Sequence, residues 1–438
     1  MRVAVIGGGM AGLSAARELL RGGAEVVVFE AADRPGGMVG SRGEQGFLTE
    51  DGPNFIARPL DALLDAAGLR SEVVHTQGPS TRWVHRGGRA LEAPGLSFLL
   101  GAGMPRALLE PFFSQPLRED LSLRGFLVQR LGSRAGSLLA TLMAAGVYAG
   151  DADRLSARDA FPRLGALGES GSLIVQLLRR KKAPRPPLWN LRRGLGSLPL
   201  ALSAGLGARL RLGAKVALLE PVGREGFQVD GARFDAAVLA VPAQAAADLC
   251  RPFAPRFSEA LQAGFTSAPV TVLHLGLPQA EVPRGFGMLD ADGTLHATGA
   301  LFPSSMLPGR APEGQALVTA ICGGARNPQH ARLPEAELVA AVRADLERTL
   351  GIRSAPSYVR AVRWPAAIPQ YAVGHRDRVR AARDLLADFP LLEVAGAAWD
   401  GVGVPDVVAS GAAAAARLLS KVSRGPLGGA AASRQARG

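Results

Sequence analysis

The chain has 438 residues, of which 47% are hydrophobic and 20% are charged, and it contains 55 glycines, 31 prolines and 2 cysteines. This composition excludes a disordered chain, because apolar residues are abundant, and a disulfide scaffold, because Cys250 and Cys322 are far apart and form no CxxC pair. The formal net charge is +12, but all except 4 of the 50 basic residues are arginines and no segment interleaves them with aromatic side chains, so we expect no nucleic-acid partner.

The first predicted element is a buried strand at residues 2–6, followed directly by a glycine-rich turn and an amphipathic helix. Residues 7–12 read Gly-Gly-Gly-Met-Ala-Gly. In this pattern Gly7 permits the tight turn, Gly9 lets a pyrophosphate approach the backbone, and Gly12 lets the helix pack closely on the strand. The unpaired N–H groups at the start of the helix then favour a bound phosphate.

A second predicted strand, residues 24–29, ends at Glu30, which stands 18 residues beyond Gly12. A carboxylate at this place accepts the ribose hydroxyls of a dinucleotide, but NAD and FAD share the pattern. Residues 33–37, Asp-Arg-Pro-Gly-Gly, resemble the Arg-x-Gly-Gly segment that follows the ribose acid in the flavin-containing amine oxidase superfamily. This resemblance favours FAD as the cofactor.

The remaining elements alternate between helix and strand texture. Residues 46–54 read as a strand and a Gly-Pro turn, 59–69 as a helix, 91–182 as a helical region, and 189–199 as the opening of another helix. Strands are predicted at 215–219, 227–229, 236–241, 269–275, 316–321 and 391–396, a helix at 335–350, and a last helix at 407–419 behind Asp406.

The return to buried strands after residue 215 predicts that the nucleotide-binding domain is discontinuous. We therefore expect an α/β fold with a Rossmann-like FAD-binding domain, an α+β substrate domain and a helical insertion. The predicted boundaries are 1–72, 189–250 and 389–420 for the FAD-binding domain, 73–90 and 251–388 for the substrate domain, 91–188 for the insertion, and 421–438 for a disordered tail.

Several segments resemble one family in one order: Gly-Val-Tyr-Ala-Gly-Asp at 146–151, the segment 189–199, Ile-Pro-Gln-Tyr at 368–371, Gly-His at 374–375, and 401–406. The chain is similar over about residues 1–420 to the oxygen-dependent FAD porphyrinogen oxidases, the family of protoporphyrinogen oxidase and its coproporphyrinogen-oxidising relative. The resemblance implies FAD-dependent oxidation of protoporphyrinogen IX to protoporphyrin IX, a late step of haem biosynthesis, with oxygen as acceptor and hydrogen peroxide as product.

The resemblance also implies which residues contact FAD. Those at the cofactor are Gly7, Gly8, Gly9, Met10, Ala11, Gly12, Glu30, Ala31, Arg34, Gly37, Met38, Gly52, Pro53, Asn54, Phe55, Val216, Val402, Gly403, Val404 and Asp406. Val216 would hold the adenine through its backbone. Asp406 lies where the last predicted helix directs its dipole at the negatively charged edge of reduced flavin.

On the substrate side, the resemblance implies that Gly146 is the catalytic position, because its carbonyl matches one proposed to orient or deprotonate the porphyrinogen. Phe286, Gly287, Leu289 and Ile321 match the porphyrinogen-facing segments. Animal and plant relatives carry an arginine suited to a substrate propionate where this chain has Ser97, so Arg89 and Arg106 become the candidates for that role. The six scattered histidines form no metal-binding or triad spacing, and no metal is expected.

Other functions remain open at this stage. Coproporphyrinogen III oxidation to coproporphyrin III is the alternative within the family, and it would require more cationic pocket residues because two further propionates replace vinyl groups. A flavin amine oxidase is a second enzymatic alternative. A non-catalytic, flavin-bearing porphyrin-binding protein is the alternative from another class, and a homodimer is compatible with each of them.

The predicted helical insertion indicates contact with an anionic membrane surface. Its apolar residues Leu96, Phe98, Leu99, Leu100, Leu108, Leu109, Phe112 and Phe113 and the basic run at 179–182 have the composition of an interfacial anchor. The uncharged stretch 135–150 is only 16 residues long, below the roughly 20 needed for a span. Because the apolar run at 2–6 is too short for a secretory signal, we expect a cytoplasmic protein resting on the membrane, with a soluble helical core as the alternative.

Overall fold

The computed structural model describes residues 1–93, 95, 109–114, 116–169, 171–179, 187–223 and 225–424. Its helices are α1 Met10–Arg21, α2 Asp61–Ala66, α3 Glu110–Phe113, α4 Leu123–Leu131, α5 Ser133–Tyr148, α6 Pro162–Glu169, α7 Leu173–Arg179, α8 Ser197–Ala204, α9 Ala243–Cys250, α10 Pro255–Gly264, α11 Pro303–Met306, α12 Glu335–Leu350, α13 His375–Asp384 and α14 Val404–Arg424.

The strands of the described residues form two large sheets and three small ones. They are β1 Arg2–Ile6, β2 Glu25–Phe29, β3 Ser41–Glu44, β4 Phe47–Glu50, β5 Val73–His75, β6 Arg82–Arg86, β7 Arg89–Ala93, β8 Trp189–Leu191, β9 Leu210–Arg211, β10 Leu219–Pro221, β11 Phe227–Val229, β12 Ala232–Phe234, β13 Ala236–Leu239, β14 Ser267–Pro278, β15 Gly287–Asp290, β16 Ala297–Leu301, β17 Gln315–Gly323, β18 Tyr358–Pro369 and β19 Leu392–Val394.

The first large sheet is parallel and has the order β19-β13-β1-β2-β9. Both of its faces are buried, as parallel sheets require, so β1 and β2 read as nearly continuous apolar runs. Val3, Val5 and Val26 pack against α1 and α14 on one face, whereas Ala4 and Ile6 pack on the other. The three segments of the chain that build this sheet confirm the predicted α/β class.

The second large sheet has the order β18-β14-β17-β16-β15-β6-β7 and is antiparallel except where β15 runs parallel to β6. One face packs against α12 through Leu338, Val342 and Leu346. Val270 and Val272 lie on the other face, with Ile321 beside them. This second face turns toward the FAD-binding sheet, and the main cavity of the protein lies there.

Helices α4 and α5 form a separate helical layer with its own apolar core around Phe126, Leu127 and Tyr148. The two helices approach closely because Gly136 faces the Leu127 backbone, where a Cβ atom would lie 2.4 Å from the Leu127 carbonyl oxygen. The C-terminal end of α5 therefore projects toward the second sheet, where Gly146 lies near Leu289.

Three predicted elements are wrong in detail. Residues 189–191 form a strand paired with β5, and helix α8 begins only at Ser197, because Gly194 adopts φ +88° and interrupts the chain. The strand predicted at 215–219 begins at Leu219, since the preceding residues run along the end of β2, where the Ala214 N–H donates to the Glu30 carbonyl.

The last helix begins at Val404 and ends at Arg424, so Asp406 lies inside its first turn instead of preceding it. The prediction of a disordered tail from residue 421 is therefore wrong for its first four residues. Lys421 Nζ donates to Glu393 at 2.7 Å and to the Pro390 carbonyl at 2.9 Å, which ties this end of the helix to β19. Residues 425–438 lie outside the described part of the chain.

Candidate active site

A cavity of about 1230 Å³ lies between the two large sheets and α5. This exceeds the roughly 300–1,000 Å³ typical of a pocket for one small molecule, so the cavity has room for a dinucleotide and a second organic ligand. The predicted cofactor residues on its lining are Gly9, Met10, Ala11, Gly37, Met38, Gly52, Pro53, Asn54, Phe55, Val402, Gly403, Val404 and Asp406. Gly146, Phe286, Gly287, Leu289 and Ile321 line the same space.

The glycine-rich turn joins β1 to α1 with the geometry that its spacing predicts. Gly7 has φ +104°, and a Cβ at Gly12 would lie 1.8 Å from the Gly7 carbonyl oxygen, so neither position accepts a side chain without movement. Gly9 differs, since the nearest atom to its Cβ would be the Gly37 Cα at 4.0 Å. The space in front of Gly9 therefore fits a ligand group that approaches the backbone at the start of α1.

The Glu30 carboxylate stands at the carboxyl end of β2 and fixes the turn. It accepts a hydrogen bond from the Gly8 N–H at 2.7 Å and another from the Ala32 N–H at 2.8 Å. These bonds orient the carboxylate beside the glycines, as a ribose-binding acid requires. Gly7, Gly8, Gly12, Glu30 and Ala31 support the turn but do not line the main cavity.

The segment after Ala31 runs against the glycine turn. Gly36 pairs with Gly9 in a parallel bridge and donates its N–H to the Gly8 carbonyl at 2.8 Å. Arg34 points away from the cavity and pairs with Asp51 at 2.8 Å, while Arg360 binds the other oxygen of Asp51 at 2.5 Å. Arg34 therefore positions the loop through Asp51 instead of lining the cavity.

A buried polar network, which sequence analysis did not predict, holds the loop 52–55 in place. Asn190 Nδ2 donates to the Asn54 carbonyl at 2.7 Å and to Glu50 Oε1 at 2.9 Å. Arg310 Nη1 lies 3.3 Å from the same carboxylate. Burial raises the pKa of the Glu50 carboxyl, and the charge of Arg310 opposes that rise. The network fixes the backbone that presents Pro53 and Phe55 to the cavity.

The loop 397–403 and the start of α14 close the other side of the cofactor space. Gly401 has φ +130°, and its N–H donates to the Tyr371 hydroxyl at 2.6 Å. The same hydroxyl donates to the Ala397 carbonyl at 2.7 Å. The first turn of α14, which contains Asp406, lines the cavity, and the Asp406 and Val407 N–H groups donate to the Gly403 carbonyl at 2.8 and 2.9 Å. Tyr371 belongs to the Ile-Pro-Gln-Tyr segment, which was the sequence signal for this contact.

The substrate side of the cavity is formed by α5 and β15. A Cβ at Gly146 would lie 3.5 Å from the Leu289 side chain, so α5 and β15 face each other across a narrow gap. The Gly150 N–H donates to the Ala144 carbonyl at 3.1 Å, so within the described residues the helix leaves the Gly146 carbonyl without a backbone donor. The Phe286 ring lies 5.5 Å from that of Phe55, which joins this wall to the loop 52–55.

A family model described as flavin containing amine oxidoreductase matches residues 10–419. The chain belongs to this family. It is 31% identical to the protoporphyrinogen oxidase of Bos taurus over 95% of this chain and 98% of that protein. It is 30% identical to the coproporphyrinogen III oxidase of Propionibacterium freudenreichii over 92% of this chain and 88% of that protein.

A crystal structure of a candidate protoporphyrinogen oxidase from Exiguobacterium superposes on the chain with a TM-score of 0.83 at 25% identity, covering 96% of this chain and 99% of that one. Membership of this family agrees with a single cavity that is lined by the glycine-rich turn on one side and by the apolar residues of α5 and β15 on the other. The chain is an oxidoreductase of this family, and the predicted FAD cofactor and two-part fold are confirmed.

Within the family frame, Val216 is the predicted adenine contact. It is buried, follows the Ala214 contact with β2, and does not line the main cavity. Among the described residues its backbone N–H and carbonyl have no hydrogen-bond partner, which leaves both free for an adenine edge. This role stays a prediction.

Of the two predicted propionate arginines, one does not line the cavity and the other lies outside the described residues. Arg89 is exposed at the start of β7 and does not line the cavity, because the tight turn between β6 and β7 carries it away. Arg106 and Ser97 lie outside the described residues. The charged residues on the described lining are instead Arg58, Arg82 and Asp406.

The ionisable rings of Tyr148, Tyr371 and His375, behind the loop 397–403, are uncharged near neutral pH. Burial raises the pKa of the Tyr148 and Tyr371 hydroxyls, and nearby carboxylates reinforce the rise. Burial, with the charge of Arg378, lowers the pKa of His375 to about 4. His375 stacks on Tyr371 with ring centroids 3.8 Å apart. Tyr371 positions the loop 397–403 through its hydroxyl, and His375 supports the Tyr371 ring.

Proposed function

We propose that this protein oxidises protoporphyrinogen IX to protoporphyrin IX, a late step of haem biosynthesis, with molecular oxygen as the acceptor. The observation that carries the proposal is the composition of the cavity, whose described lining joins the cofactor turn to Gly146 and Leu289 without any lysine or histidine side chain. A largely apolar described lining without lysine or histidine, whose carboxylate Asp406 is paired with Arg58, suits a macrocycle whose activated C–H bond loses a hydride while a pyrrole N–H loses a proton. The names of the relatives agree with this substrate class.

The side chains and backbone of the protein would position the macrocycle in the cavity and exclude water from the reacting carbon. The turn at Gly9 and the loop 52–55 would hold FAD, which would supply the hydride acceptor and the route of the electrons to oxygen. Leu289 and Phe286 would pack on one face of the macrocycle while the end of α5 covers the other. The Gly146 carbonyl, which has no backbone donor among the described residues, would accept a hydrogen bond from a pyrrole N–H and orient the reacting carbon, and the pyrrole proton would pass to water.

The overall change balances over three cycles. Each cycle removes two electrons and two protons from the macrocycle, and one oxygen molecule takes up both as hydrogen peroxide. Three oxygen molecules and three hydrogen peroxide molecules therefore accompany one aromatic porphyrin. A stoichiometry of three peroxides per porphyrin supports oxygen as the acceptor, and porphyrin formation without peroxide would refute it.

Coproporphyrinogen III is the second candidate substrate, because one relative in the family bears that activity in its name. Growth of porphyrin fluorescence, measured separately on the two porphyrinogens, decides between them through the ratio of their kcat/KM values. A protein that binds porphyrins without turnover would show no anaerobic bleaching of its flavin by either porphyrinogen. That result would refute the proposed enzymatic function.

We also propose that helices α3 and α7 rest on an anionic membrane surface. No helix in the described ranges is both long and apolar enough to cross a bilayer. Phe112 on α3 is 79% exposed and Leu178 on α7 is 80% exposed. The two helices are held together by Glu110, whose carboxylate accepts the Leu173 N–H at 2.9 Å. Their exposed apolar side chains would enter the interface while Arg179 contacts lipid headgroups.

Flotation with vesicles that contain phosphatidylserine tests the surface. We expect salt-sensitive binding that is lost in a Phe112→Glu/Leu178→Glu double variant and retained in a control, Leu212→Glu, whose exposed side chain lies beside the FAD-binding sheet. Flotation that the double variant does not weaken would refute this site of contact.

A further inference from the structure

One residue on the wall of the cavity has a backbone conformation that its own side chain disfavours. Ala149, directly after α5, has φ +43° and ψ +38°, the left-handed region that alanine rarely adopts. Among the described residues, the other non-glycine positions with positive φ are Gln45 and Asp230, and both are exposed. Ala149 is instead buried and lines the cavity. Strained conformations of this kind concentrate at functional sites.

The left-handed conformation changes which carbonyl groups at the end of α5 receive a donor. In a helix that continued, the Gly150 N–H would donate to the Gly146 carbonyl, four residues earlier. The Gly150 N–H donates instead to the Ala144 carbonyl at 3.1 Å, because Ala149 reverses the direction of the chain. Within the described part of the chain, the Gly146 carbonyl is therefore left without a backbone donor on the side of the porphyrinogen space.

The reversal after α5 is anchored by the second large sheet. Gln370 Nε2, at the end of β18, donates to the Tyr148 carbonyl at 3.0 Å. The Ala325 N–H, which follows β17, donates to the Ala149 carbonyl at 2.8 Å. The two carbonyls that follow the last turn of α5 are thus held by the sheet. The end of the helix has a fixed position relative to the wall that the sheet forms.

The methyl group of Ala149 contributes to the same attachment. It belongs to the apolar cluster of Val270, Val272 and Ala367 on the cavity face of the sheet. These contacts and the two hydrogen bonds to the sheet together determine a conformation that alanine alone would not favour. The strain at this position is therefore maintained by the sheet and acts on the last turn of α5.

We propose that Ala149 and Gln370 are positioning residues, which keep the Gly146 carbonyl free to accept the pyrrole N–H of the porphyrinogen. This inference rests on the proposed function. A right-handed Ala149 would let the Gly150 N–H bind the Gly146 carbonyl and would remove the acceptor. Ala149 and Gln370 would then affect the rate of hydride removal more than the affinity for the macrocycle, because neither one itself binds the reacting group.

Three substitutions at Ala149 separate backbone conformation from side-chain bulk. Glycine and asparagine accept the left-handed region, whereas valine strongly disfavours it because its Cβ is branched. Asparagine and valine are of comparable size, so a pure effect of bulk would harm both. Gln45→Val is the matched control, since it makes the same change at a left-handed residue that is exposed and does not line the cavity.

Gln370→Met tests the anchor separately, because methionine has a similar length but no donor for the Tyr148 carbonyl. Its control is Gln244→Met. Gln244 is half-buried, donates its Nε2 to the Phe265 carbonyl and does not line the cavity. The flavin content of each purified variant reports whether it folds and binds the cofactor.

The measurement is anaerobic bleaching of the flavin by protoporphyrinogen in a stopped-flow instrument. Its dependence on substrate concentration gives the rate constant of flavin reduction and the Kd of the porphyrinogen separately. Ala149→Val should lower the rate constant about tenfold, the size of one hydrogen bond to a neutral acceptor, with Kd changed less than about threefold. Gln370→Met should lower it about fivefold. Ala149→Gly and Ala149→Asn should stay within about threefold of the wild type, and both controls should match it.

An unchanged rate constant in flavin-containing Ala149→Val would overturn the inference, as would an equal loss in Ala149→Asn. If Ala149→Val does not retain flavin, Gln370→Met decides, and a rate constant equal to that of Gln244→Met would overturn the inference. These outcomes leave the proposed oxidation intact. Failure of any porphyrinogen to bleach the flavin of the wild type would instead refute the proposed function.

Discussion

Substitution of Tyr371 measures how much its hydroxyl contributes to holding the loop 397–403. Its hydroxyl joins the Ala397 carbonyl, at 2.7 Å, to the Gly401 N–H, at 2.6 Å. Phenylalanine keeps the stack on His375 but removes both bonds. A polar group left without its partner costs about 1–3 kcal/mol when fully buried, and the lower value applies here because both backbone groups are half-buried.

The loss of both bonds would destabilise the cofactor-contacting conformation of the loop by about 2 kcal/mol. This free energy corresponds to about a 30-fold rise in the Kd for FAD. The assay is quenching of FAD fluorescence on titration with apoprotein. Tyr148→Phe is the control, because the Tyr148 hydroxyl donates to the Ala160 carbonyl, at 2.9 Å, away from the loop. An unchanged Kd for Tyr371→Phe, or an equal weakening by Tyr148→Phe, would show that the hydroxyl does not hold the loop for FAD.

Three further outcomes are expected. Gly12→Ala should purify without flavin, because the added Cβ would lie 1.8 Å from the Gly7 carbonyl oxygen. The control Gly43→Ala should retain flavin, because no atom lies within 4 Å of its added Cβ. Absorbance at the flavin band measures the flavin content of both variants. Gly146→Ala should fold and bind FAD, because the added Cβ makes only ordinary contacts. Gly146→Leu should retain flavin but lose porphyrinogen turnover. Full turnover by Gly146→Leu would contradict the placement of Gly146 at the substrate. The pKa of His375 is about 4 in the folded protein and 6.5 in the unfolded chain, so the free energy of unfolding should fall as the pH drops from 6.5 to 4. Measured by urea unfolding, the loss of unfolding free energy between pH 7 and pH 5 should be about 2 kcal/mol smaller in His375→Phe than in the wild type. An equal loss in both proteins would refute this.

Local patterns were sufficient to predict the geometry of the glycine turn that borders the cavity. The turn at Gly7, Gly9 and Gly12 and the acid at Glu30 act through backbone geometry within a single βαβ unit, so their spacing alone determines their role. The strand at Trp189 was mistaken for a helix because its pairing partner lies more than 100 residues earlier in the chain.

The substrate half depended on information that spacing does not hold. Arg82 and Arg89 occupy the two strands of one hairpin, and only the register of β6 against β15 brings Arg82 to the cavity. The Glu50–Arg310 pair joins residues 260 positions apart. The homodimer and the domain boundaries remain predictions.

The packing of α1 on α14 bears on the order in which the chain is made. Gly411 touches the backbone of Ala11, where a Cβ would lie 2.0 Å from the carbonyl oxygen, and the Ser14 hydroxyl donates to the Val408 carbonyl at 2.8 Å. At about 5–20 residues per second, roughly 20–80 s separate the synthesis of these two helices. During that interval Val3, Val5 and the inner face of α1 lack one of their covering layers. A ribosome-bound nascent chain therefore exposes its cofactor turn before the fold can retain a cofactor, and loading must follow release of the last helix.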